Sequence, residues 1–129
     1  MIRVYTASKL AVAPFWKELQ AKWAKDVFFH ARWLRHVEVG TPDTPENAAY
    51  FWMEDEQDVE TADALIVYAR LEDHIRGALV EVGMAIAKNV PVIVIGTHPD
   101  YGTWQYHGGV TQAVDFDDAL IILRNMKGK

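Results

Sequence analysis

The chain has no cysteine, which excludes disulfides, thiolate nucleophiles and Cys-ligated zinc and fits a reducing compartment. It also lacks an excess of positive charge: thirteen Lys plus Arg stand against eighteen Asp plus Glu, a net charge of −5. A nonspecific phosphate-backbone binder needs a basic face, so nucleic acid is not an expected partner. No run approaches the ~20 apolar residues of a membrane span, and Met1-Ile2-Arg3-Val4-Tyr5 lacks the long apolar core of a signal peptide. The expectation is a cytoplasmic protein without a membrane partner. The histidines His30, His36, His74, His98 and His107 show no metal-ligand spacing, so neither a metal nor another cofactor is expected. Nucleotide loops are missing too. The segment after the first β-favouring run carries neither G-x-G-x-x-G nor a Walker lysine, and Thr6-Ala7-Ser8 stands where a response-regulator receiver needs an acidic pair.

What is present is an ordinary globular balance: 129 residues, 50% apolar and 24% charged, enough for one domain, 1–129, with its own core. Ile2 to Thr6 reads as a buried first strand, and Pro14 suits the first turn of a helix whose Phe15, Trp16, Leu19 and Trp23 recur at three- and four-residue steps. Val27-Phe28-Phe29 is a second strand, with Ala31-Arg32-Trp33-Leu34 as its continuation or a following turn. Gly40-Thr41-Pro42-Asp43-Thr44-Pro45 is a breaker cluster, and a helix restarts near Glu46. Phe51, Trp52, Asp55, Val59 and Ala62 fall close to one stripe of it, which sets Asp55 beside the apolar face. Ala64 to Tyr68 and Val90 to Ile95 are nearly continuous apolar runs, the pattern of strands covered on both faces. A helix from Gly77 to Lys88 joins them. Val110 to Val114 is a short edge strand and Phe116 to Met126 a closing helix. This alternation predicts an open parallel sheet with helices on both sides.

Ligands of such sheets bind beyond the carboxyl ends of the strands. In the loop and helix after Tyr68, Glu81 lies one turn in from Gly77, where the helix dipole favours an ionised carboxylate and thus a nucleophile. A plain surface-helix glutamate is the alternative, weighed down by the apolar company of Val80, Val82, Met84 and Ala85.

Gly77-Ala78-Leu79-Val80-Glu81-Val82-Gly83-Met84-Ala85-Ile86-Ala87 with Lys88-Asn89-Val90-Pro91-Val92 resembles the signature helix and strand of the nucleoside 2-deoxyribosyltransferase superfamily, which includes deoxynucleoside monophosphate N-glycosidases. Asp55, eight residues before Asp63, and Val4-Tyr5-Thr6-Ala7-Ser8 match the family's upstream motifs in the same order. Ile75-Arg76-Gly77 departs from the Asp-Ser-Gly common in its transferases. The resemblance implies a flavodoxin-like, Rossmann-like three-layer αβα domain around a central parallel five-stranded sheet. It also implies cleavage or transfer of the N-glycosidic bond of 2′-deoxyribonucleosides or their 5′-monophosphates.

Such chemistry asks for one group to capture the sugar carbon and another to protonate the departing base, which paired carboxylates supply. Glu81 is the expected nucleophile. Asp55, expected to be the more enclosed, is the acid, with Asp58 its rival one turn later. Tyr5 is implied to fix the Glu81 rotamer, or else is simply a strand aromatic. Ser8, Lys9, Arg76 and Gly77 form a candidate 5′-phosphate site, the two cations being otherwise solvated charges. Trp33 or Trp52 is placed to stack on a base, while Trp16 and Trp23 read as core. The expected partners are a small nucleoside or nucleotide and a second copy of the chain. The homo-oligomer would meet through Tyr50-Phe51-Trp52, with the loop Tyr101 to Gly109 reaching across or covering its own sheet edge. A hydrolase of NAD-like signalling nucleotides and a non-catalytic nucleotide sensor are the competing classes.

Overall fold

The computed structural model describes residues 1–127. Five strands, β1 (Ile2–Ala7), β2 (Val27–Phe29), β3 (Ala64–Val67), β4 (Val92–Ile95) and β5 (Val110–Ala113), alternate with helices α1 (Ala13–Trp23), α2 (Trp33–Val39), α3 (Pro45–Glu60), α4 (Gly77–Ala87) and α5 (Phe116–Lys127). Every strand pairing is parallel, in the order β2-β1-β3-β4-β5. This is a flavodoxin-like three-layer fold: the alternation of elements predicts its parallel sheet with helices on both sides, and the family resemblance implies its five strands. All four residues of β3 and all four of β4 are buried, because each strand is covered on both faces.

One helical layer is tied together by aromatic rings. Phe15 and Trp16 of α1 lie 4.9 and 5.7 Å from Phe116 at the start of α5, and Pro14 sits in the first turn of α1. The other layer joins α3 to α4. Helix α3 begins cleanly: Pro45 occupies its first turn and Thr44 accepts the Asn47 N–H at 3.2 Å. Asp63, just before β3, accepts the Arg3 N–H at 2.8 Å and so helps fix β3 beside β1. No helix of the described residues is long and apolar enough to cross a membrane.

One segment takes a form the sequence pattern did not single out. Ala31 and Arg32 make a turn, and Trp33 then opens helix α2 rather than prolonging β2. Two hydrogen bonds force the departure from the sheet. The Arg32 N–H donates to Asp58 Oδ2 at 2.9 Å, and Trp33 Nε1 donates to the Thr6 carbonyl at 2.8 Å. Gly40 stops the helix at φ +71°, a left-handed conformation that costs glycine little.

The topology fixes where a ligand can enter. From β1 the chain runs outward to β2 and then returns past β1 to β3, so the connections diverge at the carboxyl ends of β1 and β3. This is the switch point at which open α/β sheets leave a crevice.

Candidate active site

A cavity of about 780 Å³ opens at this switch point. One wall comes from the end of β1, with Ser8 and Lys9, and from the start of α4, with Arg76, Gly77 and Glu81. The facing wall comes from α2 and α3, with Trp33, His36, Phe51, Trp52 and Asp55. Trp52 leans across to α4: a Cβ placed on Gly77 would meet its ring at 3.5 Å.

Glu81 is 7% exposed. Tyr5, fully buried in β1, donates its hydroxyl hydrogen bond to Glu81 Oε2. Strand and helix thus meet in one contact that sets the carboxylate's rotamer from behind, since Tyr5 itself is not among the residues lining the cavity. Burial pushes the Glu81 carboxyl up to about 8. The expectation of an ionised group stabilised by the helix dipole is therefore corrected. Desolvation favours the neutral carboxyl, the opposite of the effect expected of the dipole.

Asp55 is only partly covered, which reverses the expected order of enclosure. Its carboxyl is nonetheless pushed up to about 7, first by burial and then by the charges of Asp58 and Glu54, with His36 and Arg32 acting the other way. Two carboxyls with raised pKa values therefore line one cavity, Glu81 on α4 and Asp55 on α3.

Asp58, the rival acid, does not line the cavity. Its oxygens are taken by Arg32, through the backbone N–H at 2.9 Å and an ion pair to Nη2 at 2.9 Å. Arg32 also pairs with buried Glu54 at 3.1 Å, and Glu54 in turn binds His36 Nε2 at 2.7 Å. These four side chains clasp α2 to α3. Sequence reasoning missed His36 as a residue of the cavity wall and Glu54 as the partner that holds it. A signal existed in two complementary i,i+4 pairs, Arg32 with His36 and Glu54 with Asp58, readable once 33–39 is taken as helical.

The remaining candidates divide in two. Trp33 and Trp52 do line the cavity, but the Trp33 N–H is already committed to Thr6. The Ser8 hydroxyl is likewise used internally, accepting from Trp16 Nε1 at 2.9 Å and donating to the Lys9 carbonyl at 3.0 Å. Lys9 and Arg76 are exposed at the cavity wall, and their side chains make no ion pair or hydrogen bond among the described residues. Nearby Asp73 is fully buried, gripped by Arg70 at 2.9 and 3.0 Å, which holds its carboxyl below the usual range. Trp16 and Trp23 are core, as their spacing predicts. In the long loop, Tyr101 is anchored within its own chain: its hydroxyl donates to the Ile95 carbonyl at 2.9 Å and accepts the Ala69 N–H at 3.1 Å.

Comparison with protein-family models, with curated proteins and with solved structures returns no match.

Proposed function

We propose that the protein breaks the N-glycosidic bond of a 2′-deoxyribonucleoside or its 5′-monophosphate, as expected of the nucleoside 2-deoxyribosyltransferase superfamily. One juxtaposition carries the reading. A rotamer-fixed glutamate and a partly covered aspartic acid line the same cavity, with aromatic rings on one wall and two unpaired cations on the other. An aromatic wall accepts a base, and the cations beside the start of α4 accept a phosphate.

In the proposed reaction the ionised Glu81 carboxylate attacks C1′, and the bond from C1′ to the base nitrogen breaks with its electron pair leaving on the base. Asp55 gives that nitrogen its proton. The deoxyribosyl ester on Glu81 is then opened at C1′ by water or by the ring nitrogen of a second base, either of which gives its proton back to Asp55. The first outcome is hydrolysis and the second transfer. Tyr5 holds Glu81 in line and supports its charge through the donated hydrogen bond. A second copy of the chain belongs to the same proposal, meeting this one over Tyr50-Phe51-Trp52, of which Tyr50 is exposed while Phe51 and Trp52 also line the cavity. Sedimentation at micromolar concentration checks it, a dimer being expected.

The test is incubation with a panel of deoxynucleosides, deoxynucleoside 5′-monophosphates and NAD, with free base measured by chromatography. Base release from deoxynucleosides or their monophosphates is expected, lost by at least ~10³-fold in Glu81→Ala with the fold intact. If Lys9 and Arg76 bind phosphate, their double alanine variant raises KM for the monophosphate by roughly tenfold and leaves the free nucleoside unaffected. Release from NAD alone, binding without release, or full activity of Glu81→Ala overturns the reading.

A further inference from the structure

The start of α4 forms the cation-bearing side of the cavity, yet no cap of its own fixes it. Arg76 stands at the N-cap without a side-chain hydrogen bond to the helix, and the first turn holds no acid. The corner is gripped from the loop after β4 instead. Asp100 Oδ2 accepts the N–H of Ile75 at 3.0 Å, one residue before Arg76, and Ile75 is buried and lines the cavity. Asp100 is in turn set by His98, whose Nδ1 accepts the Asp100 N–H at 3.0 Å and whose Nε2 lies 2.9 Å from the Arg70 carbonyl. These two partners fix the protonation of the ring. A backbone N–H can only donate and a carbonyl can only accept, so Nε2 carries the hydrogen, Nδ1 carries a lone pair, and the ring is neutral. Pro99 stiffens the arrangement as the second residue of a turn that the Tyr101 N–H closes on the His98 carbonyl at 3.0 Å. A proton on Nδ1 would point at the Asp100 N–H and end that contact, and histidine is the side chain that changes charge between about pH 5 and 8.

We propose that His98 is a positioning residue for phosphate binding: its neutral ring holds Asp100 and Ile75, and with them Arg76, while protonation releases this corner. The inference rests on the reading above in taking Lys9 and Arg76 as the phosphate site. His98 does not line the cavity, so it acts through the chain and touches no ligand. Charged groups face it from two segments. Asp100 stands on its own turn; the loop after β3 brings Arg70, paired with Glu72 and Asp73, and His74, 3.6 Å from Asp100. Glu81 is held a turn further along α4 by Tyr5, so release of the corner weakens binding and spares the chemical step.

The test compares wild type with two substitutions at this position. In His98→Asn the amide oxygen accepts the N–H two residues on, as in an Asx turn, and does not titrate. His98→Leu removes both contacts. Binding of the four common deoxynucleoside 5′-monophosphates and of the free deoxynucleosides is measured by calorimetry at pH 8 and pH 5.5, with kcat and KM wherever base is released. At pH 8 wild type and His98→Asn are expected to bind monophosphate within about twofold of each other, and His98→Leu about fivefold more weakly. At pH 5.5 wild type falls to the level of His98→Leu, about fivefold below His98→Asn. Protonation of the ligand phosphate, of His74 and of the two cavity carboxyls is common to all three proteins and cancels in these ratios. Free deoxynucleosides and kcat show no such difference. The same pH dependence in wild type and His98→Asn, a His98→Asn protein no better than His98→Leu, or a loss shared by free deoxynucleosides overturns the assignment, while base release leaves the reaction standing. If monophosphates bind with the expected ratios and no base is released, the reaction falls and the positioning role stands. If no monophosphate binds, the role falls, and base release from free deoxynucleosides alone decides the reaction.

Discussion

At the scale of single residues, the two carboxyls decide how the proposed reaction depends on pH. The productive form has Glu81 ionised and Asp55 protonated, yet burial raises Glu81 to about 8 and Asp55 to about 7. The more acidic group must keep its proton while the less acidic one loses it, so the productive form is a minority at every pH. Its population rises up to about pH 7, is flat between 7 and 8, and falls above 8, and kcat/KM is expected to trace that bell. In Asp55→Asn the residual activity depends on Glu81 ionisation alone, so its maximum moves above pH 8. A wild-type profile whose maximum lies below pH 6.5 contradicts the assignment. Tyr5→Phe removes the donor that supports the Glu81 charge, and a fall in kcat of about ten- to a hundredfold is expected with little change in KM. Both carboxyls were singled out in the sequence through the family resemblance, which places one four residues after Gly77 and the other eight before Asp63. Their protonation could not be read there, because it depends on how many atoms crowd around each group in the folded chain.

At the scale of elements, β3 and β4 were legible because strands buried on both faces leave unbroken apolar runs, α1 because Pro14 suits its first turn, and α3 because a breaker cluster ends just before it. Helix α2 was not. Its Trp33-Leu34-Arg35-His36-Val37-Glu38-Val39 is short, mixes β-branched and polar residues, and carries no side-chain cap. It is a helix because of partners far along the chain, above all Asp58, which holds the Arg32 N–H and guanidinium. Asp58→Asn leaves the Arg32 and Glu54 charges unevenly matched, and unfolding free energy is expected to drop by about 1–3 kcal/mol in urea titration. Because Asp58 does not line the cavity, its activity is expected to fall far less than that of Asp55→Asn. The reverse ranking returns the acid role to Asp58. Gly40→Ala forces an L side chain into φ +71°, at a cost of about 1 kcal/mol, and loosens the same wall.

For the molecule as a whole, the β2-β1-β3-β4-β5 order is what turns scattered residues into a site. Tyr5, Asp55 and Glu81 come from three separate segments, and only the return of the chain past β1 brings their elements to one crevice. That assembly places ionisable groups where water is scarce, and the stability of the fold carries the consequence. Glu81 and Asp55 have folded pKa values above their ordinary ones, so their contribution is complete below about pH 4 and is lost as pH rises through about 7 and 8. Asp73 has the opposite sign: Arg70 lowers its pKa, so its contribution is present above the ordinary carboxylate range and is lost only in acid. The two trends bound a maximum. Unfolding free energy is expected to peak near pH 5 and to decline by a few kcal/mol toward pH 9, read from urea midpoints at fixed ionic strength. The double variant Glu81→Gln with Asp55→Asn cannot ionise at either position, so its midpoint should hold nearly level from pH 5 to 9 and exceed the wild type at the alkaline end. A wild-type midpoint that climbs over that interval would mean that these carboxyls are solvated and charged, and with them would go the buried nucleophile.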